Sequence, residues 1–202
     1  MVDREFGIEI ELDKVYKLVA MSGRKKNYVG ILQNGELDIK GLVGKKRNTP
    51  DFAKEAFNEV VSLLSDIQGL EDVGKVVEEV RDKVRDYYRK LQRKEIPLNK
   101  LAIRTALTKP PLESYTKNTP QHVKAALQLK NLGYNVRPGD IIIYVKTTGK
   151  EGVRPIQLAR IDEIDPPNKY IEYLRTSLEQ VLDAFGIEFE SVMGSSIIDN
   201  YS

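Results

Sequence analysis

The sequence predicts an α+β fold, with a small antiparallel sheet followed by a mainly helical part that holds a few short strands. Three observations carry this reading. Over the first 42 residues the apolar positions alternate with period two around an Asn34-Gly35 turn. Phe52, Ala56, Phe57, Val60, Val61 and Leu64 then recur at helical spacing, as do the valines and tyrosines between Val73 and Leu91. Beyond residue 100, the runs 101–107 and 141–145 are short, apolar and bounded by Pro and Gly, as strands are.

Taken in order, 8–12 and 15–21 read as two strands, and 25–33 with 36–42 as a hairpin. A two-residue Asn34-Gly35 loop sets Leu32 opposite Leu37, Gly30 opposite Ile39 and Tyr28 opposite Gly41. Strand parity then gathers Lys26, Tyr28, Leu32, Leu37 and Ile39 on one face and leaves Lys25 on the other. Nothing precedes the sheet to cover its apolar face, which suggests a larger assembly. Thr49 is the expected N-cap of the next helix, with Pro50 in its first turn. A second helix spans about 71–92 and a third starts from Thr119-Pro120 and stops at Gly133. After the turn 137–140 comes a strand apolar on both faces, and the last helix, capped by Asn168, closes at Gly186. The tail 191–202 is small, polar and expected to be loose.

Composition narrows the functional classes. The 202 residues are 41% hydrophobic and 31% charged, enough for a real core under a heavily charged surface. With no cysteine there is neither a disulfide framework nor a thiolate nucleophile, and the single histidine, His122, excludes a His-rich metal site. No apolar run approaches the roughly 20 residues of a membrane span, and residues 1–11 lack a signal-peptide core, so a soluble cytoplasmic protein is expected. The net charge of +2 hides a segregation. Residues 14–50 carry nine Lys and Arg against two acids, 81–130 thirteen against four, and 151–202 four against ten. Such asymmetry points to a polyanion engaged by the first two regions.

The densest cationic stretch is Arg24-Lys25-Lys26-Asn27-Tyr28, where a lysine and a tyrosine share one strand face. That pairing suits a phosphate or groove contact, and equally a lysine-guarded edge strand. Lys45-Lys46-Arg47 is a second cationic run. The face of the second helix bearing Arg81, Lys83, Arg85, Arg89, Lys90 and Arg93 reads either as solvated or as close to nucleic acid. His122, in its helix's first turn, is a candidate phosphate contact or a structural hydrogen-bonding residue. No serine has a nucleophile-elbow setting, no phosphate-binding Gly-rich loop occurs, and Asp162, Glu163 and Asp165 read as an acidic loop rather than a cation site. The residues themselves therefore describe a polyanion-binding module with no catalytic residue and no metal ligand of its own.

Several segments, in order, resemble a known family. They are Glu11-Leu12-Asp13-Lys14-Val15-Tyr16, Lys25-Lys26-Asn27-Tyr28, Asp38-Ile39-Lys40-Gly41-Leu42 and Lys45-Lys46-Arg47-Asn48-Thr49-Pro50, and downstream Thr119-Pro120-Gln121-His122-Val123, the run 136–144 and Tyr170-Ile171-Glu172-Tyr173. Together they resemble the end of the palm and the thumb of archaeal family B DNA polymerases, of the crenarchaeal branch. The resemblance implies a palm end over 1–48, a thumb over 49–190 and a C-terminal tail over 191–202. It further implies that Lys26 and Tyr28 touch the primer–template minor groove with Lys25 a further DNA-binding residue, that Lys45, Lys46 and Arg47 grip duplex phosphates, and that Thr119 and His122 hold the new duplex. The family's catalytic aspartates, which hold Mg2+, its fingers and its exonuclease do not occur in this sequence. A larger polymerase chain carrying them is therefore the implied partner, beside primer–template DNA, with this chain a small subunit or fragment not expected to be active alone. A free-standing duplex-binding or polymerase-accessory protein is the other reading. The family's C-terminal sliding-clamp peptide is not evident in 187–202.

Overall fold

A computed structural model of the chain describes residues 13–21, 23, 27–40, 48–109, 119–165 and 169–194. The strand expected at 8–12 and the helix cap expected at Asn168 lie outside these residues. Among the described residues the fold is α+β, with two small antiparallel sheets and about half of these residues helical. The first sheet is a meander of β1 (Tyr16–Met21), β2 (Tyr28–Leu32) and β3 (Leu37–Lys40), in the order β1-β2-β3.

Its hairpin corrects the expected register by one residue. Tyr28 faces Lys40, Val29 faces Ile39, Gly30 faces Asp38 and Ile31 faces Leu37. The loop has three residues, Gln33, Asn34 and Gly35: the Leu32 N–H donates to the Glu36 carbonyl at 2.8 Å, and the Gly35 N–H turns back to the Leu32 carbonyl at 2.9 Å. Gly35 has a φ of 86°, the left-handed position of a type I turn followed by a bulge, and the Asn34 side chain accepts from the Glu36 N–H at 3.0 Å. Asn-Gly serves this longer turn as readily as the two-residue one. Packing selects the register, because it puts Val29, Ile31, Leu37 and Ile39 together on the core side. Leu37 and Ile39 thus leave the face expected to hold Tyr28, and Asp38 joins it.

That core side is covered by the chain itself. Helices α1 (Asp51–Ser65), α2 (Leu70–Gln92), α5 (Ile171–Ala184) and α6 (Phe189–Met193) enclose one continuous core, and α5 packs on β1 and β2. Phe52, Val60, Val84, Tyr170, Leu174 and Phe189 are among its buried members, with Val29 and Ile31 from the sheet. The cover is remote in sequence, which is why the sheet looked bare. Ser191, Val192 and Met193, expected in a loose tail, belong to α6; Val192 and Met193 are buried, and the Arg85 guanidinium donates to the Val192 carbonyl at 3.0 Å.

A second, smaller core lies between α4 (Gln121–Asn131) and the sheet of β4 (Ile103–Ala106), β5 (Ile141–Lys146) and β6 (Val153–Pro155), in the order β4-β5-β6. A short helix, α3 (Leu98–Leu101), precedes β4. The two-sided apolar character of β5 has a direct cause: Ile142 and Tyr144 enter the second core, while Ile143 and Val145 face the first. Tyr173 of α5 touches both cores. Proline, not threonine, caps α1 and α4. Pro50 and Pro120 are the N-cap residues, their carbonyls accept the first helical N–H groups, and neither helix has a side-chain cap. A residue before proline is pushed into extended backbone, which carries Thr49 and Thr119 one position too far back to cap.

Candidate nucleic-acid interface

The outer face of the first sheet carries a polar cluster built on the corrected register. Tyr16 and Tyr28 lie on neighbouring strands, and Asp38 reaches them from the third. The Tyr16 hydroxyl donates to Asp38 Oδ2 at 2.5 Å, the Tyr28 hydroxyl donates to the same oxygen at 3.1 Å, and Lys14 Nζ approaches it to 2.9 Å. The two hydroxyl oxygens are 3.3 Å apart, and the rings meet edge to face at 6.1 Å between centroids. Gly30 makes room for this. A Cβ there would lie 2.4 Å from Tyr16 Cε1, so only glycine lets the Tyr16 ring lie across the strand.

The cluster is electrostatically committed. The Tyr16 hydrogen bond, followed by that of Lys14, pulls the Asp38 carboxyl down to about 2, and the same bond holds the Tyr16 proton well above the ordinary phenol range. Asp38 also raises Lys14. With its proton directed to Asp38, the Tyr28 hydroxyl has only lone pairs left for a further partner. Tyr28 is thus a fixed aromatic edge with an acceptor tip. Lys25 and Lys26 lie outside the described residues, as do Lys45, Lys46 and Arg47. Tyr16 and Asp38 were not among the expected site residues; with Asp38 set one position out of register, their convergence on Tyr28 left no mark in the sequence.

His122 lies in the first turn of α4 and Thr119 directly before its N-cap Pro120, so neither shares the sheet face of Tyr28. Both are half-buried. Burial alone depresses the His122 imidazolium below its ordinary value, leaving the ring neutral at pH 7. The first turn of α4 contains no acidic residue, and its leading N–H groups meet no capping side chain. From 121 to 150 the chain carries Lys124, Lys130, Arg137, Lys146 and Lys150 against Asp140 alone, and Asp140 accepts the Arg137 backbone N–H at 2.7 Å. A helix start of this kind, among unmatched cations, favours anions.

The basic face of α2 is different. Lys83 pairs with Glu59 at 3.0 Å, Lys90 with Asp86 at 2.7 Å, Arg85 with Asp82 at 3.3 Å and Arg81 with Glu78 at 3.5 Å. Its charge is largely spent within the fold. The acidic stretch near 162 is likewise divided: Asp162 pairs with Arg160 at 3.1 Å, Glu163 with Arg154 at 2.9 Å, and Asp165 lies 3.7 Å from Lys169. Among the described residues no group of three or more His, Asp or Glu side chains converges to hold a metal ion, and no helix is long and apolar enough to cross a membrane.

Comparison with known proteins places this architecture. The model of DNA polymerase family B matches residues 4–183. The chain belongs to DNA polymerase family B. It is 52% identical over 92% of its length to DNA polymerase 1 of Sulfurisphaera ohwakuensis, and 49% identical over 99% of its length to DNA polymerase 1 of Saccharolobus solfataricus. These matches cover 21% and 22% of the two relatives, so the chain spans about a fifth of their length. The solved family B DNA polymerase from Pyrobaculum calidifontis superposes with a TM-score of 0.66 at 30% identity, over 91% of this chain and 23% of that one. The ordered segments that resembled archaeal family B polymerases are therefore inherited from that family.

Proposed function

We propose that this chain is the palm-end and thumb portion of a DNA-directed DNA polymerase, over 1–48 and 49–190, and that it binds primer–template duplex. The observation that carries this reading is the outward cluster in which Asp38 and Tyr16 fix Tyr28 on the open face of the first sheet. A preset acceptor tip, two residues after Lys26 in the sequence, suits the minor groove, where both polarities of hydrogen bond occur and base-pair shape can be felt without reading sequence. The unmatched cations and open N-terminus of α4, with Thr119 and His122, supply sequence-independent phosphate contacts, as do Lys45, Lys46 and Arg47.

The phosphoryl-transfer chemistry belongs to polymerase segments that carry the aspartates for two Mg2+ ions, whether on a longer chain or on a partner chain. No step of that chemistry falls to a residue described above. The test is reconstitution. The 202-residue chain, mixed with a fragment holding the remaining polymerase segments, should co-elute with it and restore primer extension, whereas the chain alone should bind duplex and extend nothing. Extension by the chain alone, or duplex binding with no association and no restored extension, would overturn the reading; the latter marks an accessory protein.

A further inference from the structure

A cavity of ≈ 250 Å³ opens where the two cores meet, lined by Asn48, Thr49, Lys146, Lys169, Glu172 and Tyr173, with Thr176 and Ser177 behind them. Its position is set by β5 and α5, because Lys146 ends the strand that divides the cores and Tyr173 touches both. Lys146 is half-buried. Its Nζ sits 4.7 Å from the centre of the Tyr173 ring, and it has no ion pair among the described residues. Its backbone is pinned by a 2.8 Å bond from its N–H to the Tyr170 hydroxyl, so the side chain starts from a fixed point.

An ammonium withdrawn from water with only an aromatic face behind it is held in place without being neutralised. Lys169, on the same wall, donates one hydrogen to the Thr147 carbonyl at 2.7 Å and lies 3.7 Å from Asp165, which leaves N–H capacity toward the cavity. Glu172 is the one carboxylate of the lining; its side chain is 66% exposed and lies 3.5 Å from the Arg175 guanidinium. The Thr176 hydroxyl is spent on the Glu172 carbonyl at 2.7 Å. The lining then offers two ammoniums, the Asn48 amide and the hydroxyls of Thr49, Tyr173 and Ser177 as donors.

We propose that this cavity binds a phosphate oxyanion, with Lys146 and Lys169 supplying the charge and Asn48 and Thr49 the neutral donors. The volume is several times the roughly 30 Å³ share of one water, so the group that carries the phosphate enters with it. That group is either a free di- or triphosphate or the phosphodiester backbone of a strand. Only the second source rests on the duplex-binding role proposed above. Burial keeps the Lys146 pKa below its ordinary value, and Lys169 adds to this, so an arriving oxyanion strengthens the charged form. A ligand there touches both cores and ties them together.

The experiment has two arms, both on the intact chain. In the first, inorganic diphosphate is titrated against melting temperature at constant ionic strength. The wild type and Lys75→Gln, an exposed lysine of α2 outside the cavity, should show a saturable rise that Lys146→Met and Lys169→Gln lose. In the second, duplex binding is followed across a salt series, and each cavity variant should weaken it about tenfold and reduce the salt slope by about one. A response in either arm that depends on both lysines supports the site and names the source. The first arm needs no DNA, so it stands even if the wild type binds no duplex. Lys146→Met should melt at or above wild type because it removes a half-buried charge, and Lys169→Gln carries the test should that variant misfold. Lysine-independent behaviour in both arms would overturn the proposal.

Discussion

Asp38 accepts from Tyr16, Tyr28 and Lys14 through one oxygen, and this single residue decides how Tyr28 is presented. Its carboxyl is held at about 2, below the ordinary value near 3.9. The folded state therefore binds the proton more weakly than the unfolded chain, so the cluster's stabilisation is complete above about pH 4 and is lost as pH falls through about 2. Tyr16→Phe removes the largest contribution to that shift. In this variant the Asp38 carboxyl should titrate closer to its ordinary value by NMR, and stability should fall less steeply between pH 4 and pH 2 in urea melts. An unchanged Asp38 titration would show that Lys14 and Tyr28 set it without Tyr16. Tyr28 stood out in the sequence because an aromatic residue followed a cationic run. Tyr16 and Asp38 did not, since which residue of β3 reaches Tyr28 depends on a loop one residue longer than the Asn-Gly pair requires.

Among the elements, α2 and α4 divide the positive charge unequally. Residues 70–93 hold seven Lys and Arg against six acids, and most of these cations are ion-paired on the surface or to Glu59 of α1. In α4, Lys124 and Lys130 have no carboxylate partner among the described residues, and no acid precedes them in the helix. Duplex binding should feel this difference. Replacing Lys124 and Lys130 together by Ala should lower the slope of log affinity against log salt by about two and weaken binding at low salt, about one unit of slope for each of the two proposed phosphate contacts. Lys90→Ala should leave the slope unchanged and shift stability by less than about 1 kcal/mol, as an exposed pair with Asp86 does. Fluorescence anisotropy across a salt series separates these outcomes, and equal slopes for the two sets would remove α4 from the interface. The sequence placed both helices well from their periodicity. The pairs within α2 follow from spacings of three and four residues, whereas the pair of Lys83 with Glu59 exists only after two helices pack.

At the scale of the whole molecule, the first sheet is joined to the helices by core rather than by a linker. Phe52, fully buried, packs edge to face on Tyr170 at 6.0 Å within the same core that receives Val29 and Ile31 of β2. Phe52→Ala should therefore cost about 3–5 kcal/mol and destabilise sheet and helices together. Hydrogen exchange should show the amides of β2 and α1 losing protection by the same free energy. Loss confined to α1 would mean that the sheet folds as a separate unit.

The order of elements, the α+β class and the family were determined by the sequence itself, because periodicity, turn residues and ordered motifs are local properties of a chain. The register of the first hairpin, the covering of its apolar face by α5, the helical state of 191–193 and the meeting of Lys146, Lys169 and Tyr173 were decided by tertiary structure. Each of these depends on which distant apolar surface comes to lie against which. Neither the spacing of residues nor their types encodes that choice until the two cores close around β5.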